Sequence, residues 1–248
     1  MTQSEPEFIE VAQRRIATLR RDGQAPTLLF LPGYASDMAG EKATAIDAFA
    51  ASRRLACLRL DYSGTGKSEG DFAEASFDHW VEEALALLDG AAPGPVMLIG
   101  SSMGGWVALH LALRRPDRVA ALMGIAPAPD FTQWGFTESQ KQVIVREGLL
   151  EEENPYGGDP SRFYRAFWES GQELRLLEEP IAIDCPVRLV HGEDDPNVPL
   201  EISNRVMKQL RSADVQLTTI KGGRHRLSEP HEIAAILSVL SGLLENLP

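Results

Sequence analysis

Cysteine is scarce in this 248-residue chain: Cys57 and Cys185 lie far apart, each inside an apolar segment. That spacing excludes a disulfide framework and a zinc site, and reads each thiol as a reduced, buried small hydrophobe. Long apolar runs are missing as well, with nothing near the roughly 18 residues that a membrane span needs. Basic residues are in deficit, 24 Lys and Arg against 36 Asp and Glu, for a net charge of −12. A field of that sign repels nucleic acid and anionic lipid surfaces, so neither is an expected partner. The N-terminal Met1-Thr-Gln-Ser-Glu-Pro-Glu7 has no basic n-region and no apolar h-region, and its early carboxylates are foreign to a transit peptide. The expected location is the cytoplasm.

What is present is ordinary globular material, 44% hydrophobic and 24% charged. At this length roughly 70–75% of the unfolded surface can be buried without covalent staples. Short apolar or β-branched runs predict strands at 8–11, 27–31, 56–61, 96–100, 120–125, 187–191 and 215–220. Several are apolar throughout, as strands buried on both faces must be. Amphipathic segments near 40–52, 77–89, 103–115, 201–211 and 229–245 alternate with them. In 201–211, Ile202, Val206 and Leu210 recur every fourth residue along one stripe. Such alternation predicts an α/β fold, a mostly parallel sheet of about eight strands covered by helices on both faces. Residues 14–19 are expected to join the first strand as an antiparallel edge.

The alternation breaks between Pro129 and Asp184, which carry helical signals, no clear strand and a Gly/Pro-rich hinge at Asn154-Pro-Tyr-Gly-Gly-Asp-Pro160. Eight aromatics crowd between Phe131 and Trp168. Residues 129–184 are therefore expected to form an inserted helical cap, with 1–128 and 185–248 as the core. Trp134, Phe136, Phe163, Phe167 and Trp168 are its candidate substrate-binding residues, although a cap must spend some aromatics on its own core.

The strongest local signal is Gly100-Ser101-Ser102-Met103-Gly104, a G-x-S-x-G pattern between an apolar strand and the helical Trp106-Val-Ala-Leu-His-Leu-Ala-Leu113. Glycines there permit the sharp strand-to-helix turn that exposes a nucleophilic serine. A serine hydroxyl needs an adjacent base, and in folds with this elbow the partners follow in the order Ser, Asp/Glu, His. Of the five histidines, His225 in the loop Lys221-Gly-Gly-Arg-His225 suits the base. His191, which ends a strand, reads as a satisfied turn residue. The turn His191-Gly-Glu-Asp-Asp-Pro-Asn-Val-Pro199 offers the acid. Asp195 fits its spacing, Asp194 requires a one-residue shift, and Asp130 is an alternative after the preceding strand. The oxyanion donors are expected from the backbone N–H groups of Met103 and Tyr34. Gly64-Thr-Gly-Lys-Ser68 mimics the end of a phosphate loop, but Asp61 occupies the position where that motif needs glycine.

Phe30-Leu-Pro-Gly-Tyr34, Asp61-Tyr-Ser-Gly-Thr-Gly66, Gly100-Ser-Ser-Met-Gly-Gly-Trp106 and Asp184-Cys-Pro-Val-Arg-Leu-Val-His-Gly192 resemble the abhydrolase domain-containing protein ten group of α/β-hydrolases. The similarity runs over most of the chain, and this version of the elbow is more specific than G-x-S-x-G. Eukaryotic members of that group are mitochondrial serine hydrolases that remove palmitoyl groups from cysteine and cleave acyl glucuronides. The resemblance implies the α/β-hydrolase fold and Ser102, Asp195 and His225 as the catalytic set of a bacterial relative. It also implies small-molecule acyl ester or thioester substrates, with no cofactor or metal and no oligomeric state specified. Carbon–carbon hydrolysis or perhydrolysis would use the same residues. An inactive binding protein would show a broken triad position, and none is broken in the sequence.

Overall fold

The computed structural model describes residues 5–154 and 157–247. Residues 1–4 and 248, and Pro155 and Tyr156 of the expected hinge, lie outside them. The chain begins with three strands, β1 (Glu7–Val11), β2 (Arg14–Arg21) and β3 (Gln24–Leu31). Helix α1 (Glu41–Arg53), strand β4 (Leu55–Leu60), helix α2 (Phe77–Ala91), strand β5 (Val96–Ser101), helix α3 (Met103–Arg114) and strand β6 (Val119–Ile125) follow. Beyond an insertion come β9 (Val187–Gly192), α7 (Leu200–Gln209), β10 (Val215–Ile220) and α8 (Pro230–Glu245). The sheet has eight strands in the order β1-β2-β4-β3-β5-β6-β9-β10. From β4 to β10 all neighbours are parallel, while β2 runs antiparallel to β1 and β4, the expected edge.

Successive side chains on a strand point to opposite faces, so a strand covered on both sides must be apolar at every position. In β3, Leu29 and Leu31 pack with α2 and α3, whereas Leu28 and Phe30 pack with α1 and α8. In β5, Val96 and Leu98 face the first layer and Met97 and Ile99 the second. Each such fully buried side chain contributes about 1.5–3 kcal/mol. The α7 stripe is buried as the spacing requires, with Ile202, Val206 and Leu210 all in the first layer. Asp61 is a scaffold residue: its carboxylate accepts the N–H groups of Met38 at 2.6 Å and Lys67 at 2.8 Å.

The insertion between β6 and β9 holds α4 (Phe131–Trp134), α5 (Glu138–Glu147), β7 (Leu149–Glu152), β8 (Ser161–Tyr164) and α6 (Arg165–Glu173). The expectation of no strand here is corrected, because β7 and β8 pair antiparallel. Each is only four residues long, too short for its alternation to stand out from the helical pattern around it. A Thr137–Gln140 capping box starts α5 and Gly148 ends it in the left-handed region at φ 81°.

Asp130, the alternative acid, clasps the insertion instead. Its carboxylate accepts the N–H groups of Leu176 and Leu177, both at 2.8 Å, tying the entry of the segment to its exit. On α3, Trp106 Nε1 and His110 Nε2 both donate to the Leu174 carbonyl, at 3.2 and 2.9 Å. Burial keeps His110 neutral there in spite of that bond. Among the described residues no helix is long and apolar enough to cross a membrane.

Burial lowers the His110 pKa to about 4, against the Leu174 bond, which raises it, and with Arg114, which lowers it further. The unfolded chain therefore takes up a proton that the folded chain refuses. The contribution of His110 to stability is complete above the ordinary imidazole range and is lost as the pH falls toward about 4. Denaturant titrations should show wild type losing about 3 kcal/mol more than His110→Gln between roughly pH 7 and pH 4, and equal losses would break the linkage.

Candidate functional site

The site is built at the C-terminal ends of β3, β5 and β9, where loops can leave the sheet. Ser102 occupies the turn between β5 and α3 with φ 53° and ψ −121°. A non-glycine residue rarely takes that backbone, and it persists where the surroundings over-determine it. Here Ser102 N–H donates to the Ile125 carbonyl at 2.9 Å, and the Ser102 carbonyl accepts the N–H groups of Gly105 and Ala128. The turn also needs backbone to pass close by: a Cβ on Gly104 would sit 2.0 Å from the Leu31 carbonyl oxygen.

His225 comes from the loop after β10 and Asp195 from the loop after β9. These loops are joined to each other. Asp194 N–H donates to the Gly223 carbonyl at 3.0 Å, and Gly222 N–H donates to a Glu193 carboxylate oxygen at 3.3 Å. A Cβ on Gly192 would fall 2.2 Å from the Gly223 carbonyl oxygen, so glycine is required where the loops cross. The three successive acidic residues thus divide the work. Glu193 and the backbone of Asp194 tie the loops together, while Asp195 turns inward.

The Asp195 side chain is fully shielded from solvent and that of His225 is 16% exposed. His225 Nδ1 donates to Asp195 Oδ2 at 2.8 Å, and Ser102 Oγ donates to His225 Nε2 at 3.0 Å. The other Asp195 oxygen accepts the N–H groups of Asn197 and Val198, both at 2.9 Å. Burial by itself would raise the Asp195 pKa. The imidazole N–H groups of His191 and His225, with the Val198 N–H, reverse that effect and hold the carboxyl well below the usual carboxylate range.

The reading of His191 as a turn residue needs correction. It is fully buried as a member of β9, with Nε2 2.9 Å from the Val198 carbonyl and 3.4 Å from Asp195 Oδ2, and Nδ1 2.7 Å from Ser203 Oγ. Its proximity to the acid comes from the path of the loop, which no local pattern announces.

Gly33 brings the loop after β3 against the elbow, since a Cβ there would lie 3.3 Å from Ser102 Cβ. The N–H groups of Tyr34 and Met103 donate to no backbone acceptor among the described residues, and Met103 opens α3, where such a group has no intrahelical partner. The two donors expected for an oxyanion therefore sit on the loop after β3 and at the start of α3, which meet at Ser102.

Above Ser102 opens a cavity of about 730 Å³. Trp134, Phe136 and Phe163 line it, as does Phe131. Phe167 and Trp168 do not, which corrects their assignment as substrate-binding residues. Phe167 is 2% exposed in the main core against Trp80 and Phe77, and Trp168 packs on the small cluster of Phe136, Ile144 and Leu150. Both lie on α6, whose inner face must bury something to dock. The sequence reading missed Phe72, and also the charged groups on the lining, Lys42, Arg162 and Arg226 with Glu152 and Asp159. Arg224 is exposed beside His225 and lies outside the lining; its neighbour Arg226 takes that place. Lys42 Nζ donates to the Arg226 carbonyl, and burial brings its pKa down to about 8.

With this geometry in view, the alpha/beta hydrolase family pattern matches residues 28–236. The chain belongs to the alpha/beta hydrolase family. Mouse (Mus musculus) palmitoyl-protein thioesterase ABHD10, mitochondrial, is 38% identical over 240 residues, covering 94% of this hydrolase and 80% of that protein. The structure of alpha/beta hydrolase domain-containing protein 10 from mouse is similar with a TM-score of 0.91 at 35% identity, over 98% of this chain and 99% of that one. A crystal structure from Agrobacterium vitis S4 gives a TM-score of 0.90 at 36% identity, over 96% and 98% of the two chains.

The close approach at Gly104 carries its own test. Gly104→Ala should lower stability by about 2 kcal/mol or more, because the intruding methyl meets backbone that cannot rotate away. Gly90→Ala is the control, with open space around its Cβ on α2. It should be neutral or gain up to about 1 kcal/mol. Matching unfolding midpoints for the two variants would contradict the packing argument.

Proposed function

We propose that this hydrolase cleaves carboxylic esters and thioesters through an acyl-serine, with Ser102 as nucleophile, His225 as base and Asp195 as the acid that orients it. The observation that carries the reading is the unbroken chain from Asp195 Oδ2 through both ring nitrogens of His225 to Ser102 Oγ, at 2.8 and 3.0 Å. Asp195 is held ionised and accepts the Nδ1–H, which leaves Nε2 as the acceptor facing the hydroxyl. In the reaction Nε2 takes the hydroxyl proton as Oγ attacks the acyl carbon, and the carboxylate stabilises the imidazolium that forms. The imidazolium then protonates the departing alcohol or thiol. Water attacks the acyl-serine in a second half-reaction by the same route in reverse.

The negative oxygen formed in each half would be received by the N–H groups of Tyr34 and Met103. Preorganised donors of this kind are worth about 10²–10³ in turnover apiece.

Residues 129–184 act as a cap in this reading. Their aromatics supply an apolar wall for the acyl group, and the charged groups of both signs on the lining favour a polar leaving group. The cavity is broad and mixed in lining, which supports compact acyl groups on polar alcohols or thiols over one long fatty chain. The mouse relative's name makes that protein a palmitoyl-protein thioesterase, and the thioester class is carried over from it as part of the proposal. The cytoplasm is proposed as the compartment, on the strength of two free cysteines and the acidic composition.

Ser102→Ala should abolish both hydrolysis of p-nitrophenyl acyl esters and labelling by a fluorophosphonate. Hydrolysis that survives the substitution would remove Ser102 from the mechanism. Asp195→Asn should keep fluorophosphonate-accessible Ser102 in place yet lower kcat by about 10³–10⁴, because the amide supports the wrong imidazole tautomer. A loss below tenfold would show that Asp195 does not orient the base.

A further inference from the structure

Tyr34 belongs to two parts of the molecule at once. Its backbone lies in the loop beside Ser102, and its side chain is gripped by the insertion. The ring stacks on Phe163 with centroids 5.3 Å apart and planes at 14°, and meets Phe167 at 4.7 Å and Phe131 at 5.8 Å edge-on. Phe72 and Trp80 close on it from the core side at 5.2 and 5.9 Å. At the far end its hydroxyl donates to the backbone carbonyl of Arg162 in β8 at 2.7 Å. A hydroxyl withdrawn from water needs an acceptor, and here the insertion supplies it.

The loop is fixed at its two ends, by Gly33 packed on Ser102 and by Met38 held by Asp61 and Arg59, and has few contacts between them. Ala35, Ser36 and Asp37 are exposed, Ala35 has φ 52°, and the local turn bond is Ser36 N–H to the Gly33 carbonyl at 3.2 Å. A donor for a developing oxyanion has to be held to about 0.5 Å, and a misplacement near 1 Å can cost as much as 10²-fold. The direction of the Tyr34 N–H is set by the backbone to which this anchored side chain is attached.

We propose that the Tyr34 side chain is a positioning residue that couples docking of the insertion to assembly of the oxyanion site. It rests on the reading above that Ser102 is the nucleophile and Tyr34 N–H a donor. Phe131 and Phe163 line the cavity as well as touching the Tyr34 ring, so an acyl group lodged against them presses on the donor's own anchor. Selection among acyl groups is then expressed in kcat and not in binding alone. Phe163 contributes from the insertion side, and Tyr34 delivers the effect to the reacting atoms.

Tyr34→Phe keeps the ring and deletes the hydroxyl, so it leaves the aromatic cluster packed. On the full-length chain it should lower kcat about tenfold with KM changed less than threefold, and weaken an alkyl boronic acid, which becomes tetrahedral on the serine, by the same factor. Phe163→Leu should produce a loss of the same kind, and the double variant should lose less than the product of the two. Affinity for the alcohol product, which places no negative oxygen at Ser102, serves as the readout that a merely structural defect would move and a misplaced donor would not. An unchanged kcat and boronate affinity in Tyr34→Phe, with wild type fully labelled by fluorophosphonate at Ser102, would overturn the coupling alone. An unlabelled wild type would overturn the nucleophile assignment beneath it.

Discussion

Ser102 is held on a backbone that few residues tolerate, and the rest of the site is arranged around keeping it there. Its φ of 53° costs on the order of 1–3 kcal/mol. The neighbouring β6 carbonyl of Ile125 receives its N–H, and its own carbonyl receives Gly105 and Ala128. One residue thereby joins β5, α3 and the segment leaving β6. Because the β3 backbone presses on Gly104, the loop carrying Tyr34 is delivered to the same place by the same contact. The exposed hydroxyl and the proposed oxyanion donors are consequences of one close-packed crossing.

Electrostatics at the site follow a second constraint. A carboxylate fully withdrawn from water is costly unless its oxygens are satisfied, and Asp195 has acceptor positions filled by His225, Asn197 and Val198 with His191 close by. The neighbouring Glu193 and Asp194 remain near the surface, where their charge is cheap, and hold the two loops together. A chain of net charge −12 places Lys42, Arg162 and Arg226 beside Glu152 and Asp159 around its cavity, so charges of both signs meet where a leaving group would depart.

The insertion shows how one aromatic-rich segment serves two purposes. Phe167 and Trp168 anchor it, on the main core and on its own small core, and Phe131, Trp134, Phe136 and Phe163 face the cavity. Asp130 closes its base and Leu174 receives Trp106 and His110 from below. Its attachment is therefore polar at the hinge points and aromatic between them.

The order of strands and helices was legible in the chain, because burial on both faces forces unbroken apolar runs such as Leu28–Leu31, and their shortness between turn residues distinguishes them from helices. The elbow was legible too, since its glycines answer to backbone contacts local to the turn, and the motifs after β9 and β10 pointed to Asp195 and His225 by spacing. Other features depended on separations that no window of sequence spans. Whether Phe163 or Phe167 faces the cavity is set by which side of an insertion docks on α2 and α3. The placing of His191 against the acid, and of Asp130 against Leu176 and Leu177, is set by where a loop returns. Period and spacing describe how a segment meets its own neighbours along the chain; partners more than forty residues apart, such as Asp130 with Leu176 or Tyr34 with Arg162, meet by packing alone.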